Sequence, residues 1–98
     1  MTAERVTAIR TRIERALAPR SLSVDDDSHL HRGHAGARDG RGHFSVRVVS
    51  ARFAGLPRLA RHRLVFDAVG DLMQTDIHAL SITALTEEEA APAGAQKG

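Results

Sequence analysis

No cysteine, tryptophan or tyrosine occurs in these 98 residues, lysine occurs once, and phenylalanine only three times. The missing cysteine excludes disulfides and thiol nucleophiles, and leaves His, Asp and Glu as the only side chains to hold iron or zinc. With so few aromatics, burial must come from Leu, Val, Ile and Ala, which gives one small core and a modest stability margin. Large functional cavities are not expected. The opening stretch MTAERVTAIRTRIERAL contains acids and spaced apolar residues instead of an apolar run, so neither a signal peptide nor a membrane span is expected. Cytoplasmic is the default address. Also missing are a Walker-type glycine loop, a recognisable Ser-His-acid set and paired carboxylates in context, so no enzyme is expected.

Charge is present and unevenly placed. Residues 1–63 hold thirteen arginines against six acids, whereas residues 64–98 hold one lysine against six acids. The basic part suits phosphate or an acidic partner surface, and coding bias toward arginine is an alternative source.

Hydrophobic spacing predicts the order α-β-β-α-β. Val6, Ile9, Ile13 and Leu17 form a helical stripe that Pro19 closes. SLSVDDD alternates as a short strand, and HFSVRVVSARF puts Phe44, Val46 and Val48 on one face of a second. AGLPRLARHRLVFDAVGDLMQ is a second helix, with Leu59, Val65, Phe66, Val69, Leu72 and Met73 as its apolar stripe. IHALSITAL is the third strand, expected parallel to the second across a helical crossover, while the first two pair antiparallel. The helices would cover one face of this three-stranded mixed sheet. Residues 1–89 are expected to form one domain and 90–98 a flexible tail, with little left to bury after Thr86.

Residues 28–42 read as a long loop without Val, Ile or Phe, and they contain His29, His31 and His34. Imidazole is a borderline ligand for iron, zinc or copper, so metal contact and simple solvation are both open for this loop. His78 shares strand parity with Leu80 and Ile82 and is expected at the rim of the apolar face, as a ligand or as a core-edge histidine. His62 falls three residues before Val65 and is expected to be packed and hydrogen-bonded. Arg58 and Arg61 stand in the first turns of a helix, where the macrodipole disfavours cations. An anionic counterpart is therefore expected: phosphate, a partner carboxylate or one of Asp25 to Asp27. GHAG at residues 33–36 matches a Gly-x-x-Gly pattern, but it joins strands where nucleic-acid-binding KH domains need it between helices.

Taken together, DDSHLHRGHAG, HFSVRVVSARFAGLPRLARHRLVFDAV and IHALSITALTEEE resemble the BolA family in order and spacing, from about Arg5 to Glu89. The resemblance implies an α/β fold like that of type II KH domains. It also implies a non-enzymatic cytosolic or organellar adapter for a monothiol glutaredoxin, often around a shared [2Fe-2S] cluster with glutathione, and no cofactor in the isolated apo protein. On this sequence the implied strand ligand is His78 and the implied loop ligand His34, with His31 as rival, His29 a bystander and His43 a positioning residue. Mixed thiolate and imidazole ligation has a precedent in Rieske centres. Where family members commonly have Glu-Thr or Glu-Ser before His-Phe, this chain has Arg41-Gly42. The family's other implied role is a DNA-binding regulator of morphology and stress response, for which Arg47, Arg52, Arg58, Arg61 and Arg63 would form the basic surface. No membrane partner is expected, and the free protein should be a monomer or weak homodimer.

Overall fold

The computed structural model describes residues 2–28 and 41–91. Helix α1 spans Thr2–Leu17, strand β1 Ser21–Asp26 and strand β2 Gly42–Val49. A 3-10 turn at Ala51–Phe53 leads to α2, Arg58–Val69, and α3, Leu72–Thr75; strand β3, Ile77–Leu85, and a last helical turn α4, Glu87–Ala90, follow. The sheet order is β1-β2-β3, with β1 antiparallel and β3 parallel to β2, as the spacing predicts.

Alternation fixes the two faces of the sheet. Leu22, Val48 and Ala84 form one cross-strand row, and Val24, Val46 and Ile82 the next. Against these rows pack Ile9, Ile13 and Leu17 of α1 and Val65 and Val69 of α2, in one continuous core. On the opposite face the row of Ser23, Arg47 and Thr83 is polar and exposed.

Four departures from the spacing have local causes. The second strand stops at Val49, because buried Ser50 turns the chain: its Oγ donates to the Leu17 carbonyl at 2.7 Å and accepts from the Arg52 N–H at 3.1 Å. The expected second helix is broken at Gly70, whose φ of +54° suits glycine and separates α2 from α3. Arg12 caps the end of α2, donating to the Val69 carbonyl at 3.0 Å and to Asp71 at 2.9 Å. Leu59 and Phe66, expected in the apolar stripe, are 65% and 39% exposed, since α2 turns only its Val65 and Val69 side fully into the core. Finally, residues 87–90 form a helical turn that reaches into the expected tail, although none of them is buried. Thr86 and Glu89 form a capping box, with the Glu89 N–H donating to Thr86 Oγ1 at 3.2 Å and the Thr86 N–H to Glu89 Oε1 at 2.9 Å. The rest of the expected tail, residues 92–98, lies outside the described residues.

Candidate functional site

The start of β3 lies where the chain enters and leaves residues 29–40. Ser28 Oγ accepts the His43 N–H at 3.0 Å, and the His43 carbonyl accepts the Asp27 N–H at 2.7 Å, so these bonds tie the two sides of the stem. Ser45 donates to Asp27, and Ser28 N–H donates to Asp26 Oδ1 at 2.8 Å. Gly42 packs into this stem and donates to the Asp76 carbonyl at 2.9 Å. A Cβ there would stand 2.7 Å from the Phe44 ring and 2.8 Å from Ser28 Oγ. The Arg41-Gly42 pair therefore has a packing reason: this stem closes too tightly for the larger residue the family commonly places there, and Arg41 donates to the Met73 carbonyl at 3.2 Å.

Between Gly42 and His43 the β2–β3 register slips. Gly42 pairs with Ile77 and His43 with Ala79, which leaves His78 as the extra residue of a bulge. The bulge inverts the alternation. Ile77 is fully buried and His78 is exposed, although parity with Leu80 and Ile82 predicts His78 at the rim of the apolar face. The His78 ring instead meets His43, with centroids 5.0 Å apart and planes tilted by 41°. His29, His31 and His34 lie outside the described residues. Among those described, no group of three His, Cys, Asp or Glu side chains is placed to hold a metal ion. An exposed imidazole beside the stem that flanks residues 29–40 fits a group shared with other donors, and it does not form a closed site alone.

The arginines separate into two sets. Arg47, Arg52, Arg58 and Arg63 are exposed. Arg61 is folded inward at 14% side-chain exposure: its Nε donates to the Leu56 carbonyl at 2.7 Å, and its terminal nitrogens reach Glu89 Oε1 at 2.5 Å and Oε2 at 3.1 Å. Within the fold the anionic counterpart of Arg61 is thus Glu89, and not one of Asp25 to Asp27. The signal for it was present as Thr86-x-x-Glu89, a capping-box spacing that orders the turn carrying Glu89. That hydrogen-bonded guanidinium, with the Thr86 N–H, lowers the Glu89 carboxyl from 4.5 to about 2, and Glu89 raises Arg61. His62 is half-buried and lines a groove with Arg58 and Arg61. It is only partly packed, where a packed and hydrogen-bonded histidine is expected, because the first turns of α2, where Arg58 and Leu59 are exposed, extend beyond the packed part of the helix.

A three-stranded mixed sheet backed by helices, with a long β1–β2 connection and a bulge opening β3, defines a small α/β domain of the type II KH-like class. Residues 13–89 match the family described as BolA-like protein, and the chain belongs to that family. It is 43% identical over 86 residues to SufE-like protein 1, chloroplastic/mitochondrial, of Arabidopsis thaliana, covering 83% of this chain and 23% of that protein. It is 40% identical over 81 residues to the DNA-binding transcriptional regulator BolA of Vibrio cholerae, covering 83% and 74% of the two chains. The solved BolA domain of SufE1 from Arabidopsis thaliana superposes with a TM-score of 0.77 at 40% identity, covering 88% of this chain and 95% of that one. The chain spans between about a quarter and just over half the length of several curated relatives. No helix among the described residues is long and apolar enough to cross a membrane.

Proposed function

We propose that this chain is an adapter that binds a monothiol glutaredoxin and shares a [2Fe-2S] cluster with it, in iron-sulfur cluster trafficking or iron homeostasis. The observation that carries the reading is His78: a bulge turns its imidazole out beside His43 and the paired stem that flanks residues 29–40, a stretch whose sequence includes His31 and His34. In this reading His78 and a loop histidine, His34 ahead of His31, supply imidazole nitrogen, and the partner's cysteine with glutathione supplies thiolate. His43 packs against His78 and positions it. The cluster is cargo at an interface, so a site left open on this side is the fitting geometry.

Mixing the apo chain with cluster-loaded glutaredoxin should change the visible absorption and circular dichroism. Identical spectra from wild type and a His34→Ala, His78→Ala double variant would remove the ligand assignment. Only neutral imidazole binds metal, so the complex should weaken on acidification.

A second reading, a DNA-binding regulator, is favoured by the name of the Vibrio relative and by the exposure of Arg47, Arg58 and Arg63. Arg61 leaves that surface because Glu89 holds it. Duplex affinity should then fall with salt, and Arg58→Ala with Arg63→Ala should flatten the slope by about 0.9 for each phosphate no longer neutralised. An unchanged slope would dismiss these arginines.

A further inference from the structure

The far end of β3 holds an arrangement that the cluster reading does not use and of which the DNA reading uses only Arg58. A groove of about 630 Å³ runs between the first turns of α2 and the last residues of β3, with Leu56, Pro57 and Ile82 as apolar wall and Arg58, Arg61 and His62 beside it. Within it Arg61 is oriented by the backbone, through its Nε to the Leu56 carbonyl at 2.7 Å and a terminal nitrogen to the Ala84 carbonyl at 3.1 Å. Its terminal nitrogens then present the fork that matches a carboxylate with two bonds.

The carboxylate seated there belongs to α4. That element is a single four-residue turn with no buried residue, too short to be helical by itself. It is held by the Arg61–Glu89 pair and by the capping box at Thr86. A ligand that supplies its own carboxylate to Arg61 would therefore displace a turn that gives up no core packing. The groove adds what one glutamate does not use: the exposed charge of Arg58 and the apolar wall of Leu56, Pro57 and Ile82. A bare anion would leave that wall idle, whereas a peptide would place an aliphatic side chain on it.

We infer that the Arg61 groove is a docking site for an acidic segment of a partner protein, and that Glu89 is an internal stand-in which such a segment displaces. The site is separate from His78, six residues or roughly 20 Å away along β3, and does not depend on the cluster reading.

The test uses the full chain, isotope-labelled, and an acetylated peptide LTEEEAA that copies residues 85–91. The Glu89→Gln chain should bind it at least about tenfold more tightly than wild type, because the internal competitor has lost its charge. Amide shifts should gather at residues 56–62 and 82–85. Thr86→Ala, which loosens the turn and leaves both charges in place, should fall between the two and decides the matter if Glu89→Gln does not fold. A peptide with Gln at the place of Glu89 should lose binding. Equal affinity for the three chains, or shifts centred elsewhere, overturns the proposal. So does inorganic phosphate moving the same amides at the same concentration, because the apolar wall would then contribute nothing.

Discussion

His78 and Ala84 stand six residues apart on one strand, and the polar chemistry around them is arranged in opposite ways. At the start of β3 a bulge turns an imidazole outward next to the loop stem. At the end of β3 an arginine is drawn inward by two backbone carbonyls and a carboxylate of its own chain. Residue type alone does not separate these cases, since a lone histidine and a basic helix start both look like sites in the sequence. Accounting for partners within the fold does. The same accounting reduces the arginine excess: Arg10 donates to the Leu22 carbonyl at 2.9 Å, Arg12 caps α2, Arg41 holds Met73, and Arg5 lies 3.6 Å from Asp76. Part of the basic charge is structural, and the exposed remainder is what a partner meets.

The sharpest way to break the comparison is to change adjacent residues at the bulge. Ile77→Ala removes a fully buried side chain and should cost about 2–5 kcal/mol, read from the midpoint of urea unfolding. His78→Ala, one residue on and exposed, should stay within about 0.5 kcal/mol while altering the glutaredoxin spectra. A large loss of stability from His78→Ala would make this histidine a packing residue and dissolve the contrast with Arg61.

A smaller effect tests the stem beneath His78. Gly42→Thr puts a Cβ within 2.7 Å of the Phe44 ring and 2.8 Å of Ser28 Oγ, which should cost about 1–3 kcal/mol and speed amide exchange at His43. If Gly42→Thr were neutral, the stem would be looser than its hydrogen bonds imply. At the other end of the strand, Ser50→Ala leaves the Leu17 carbonyl without its 2.7 Å donor in a buried place and should also cost about 1–3 kcal/mol. The two losses should add, because the sites share no partner.

Much of the fold was legible because hydrophobic spacing reports which face of an element is buried. Ile9, Ile13 and Leu17 on α1, and the turning of Val46 and Ile82 toward the core, follow directly from it. The bulge was not legible. Parity counting assumes an unbroken ladder, and one extra residue moves His78 from the apolar face to solvent. The pairing of Arg61 with Glu89 joins residues far apart in sequence, so no local pattern names both partners; Thr86-x-x-Glu89 signals only the turn. Leu59 and Phe66 show the same limit, because a helical stripe says which face is apolar and not how far the neighbouring elements extend to cover it.

The smallest expected effect concerns the Arg61 end alone, and proton linkage gives its sign. Glu89 is held below its ordinary value, from 4.5 to about 2, first by the hydrogen bond from Arg61 and then by the Thr86 N–H. A depressed acid contributes its stabilisation fully above the ordinary value and loses it as pH falls through the folded one. Docking of α4 should thus be complete above pH 4.5 and decline toward pH 2, with no counterpart on the alkaline side because arginine stays charged. Since α4 buries no residue, the loss should be local: amide exchange at Ala90 should accelerate while the core amides of Val46 and Val48 keep their protection. Arg61→Met should return the Glu89 carboxyl toward 4.5 in a titration followed by its side-chain carbon shift. A carboxyl that stayed near 2 without the guanidinium would place the depression in the capping box, and the two ends of β3 would no longer differ in the way the Arg61 bonds imply.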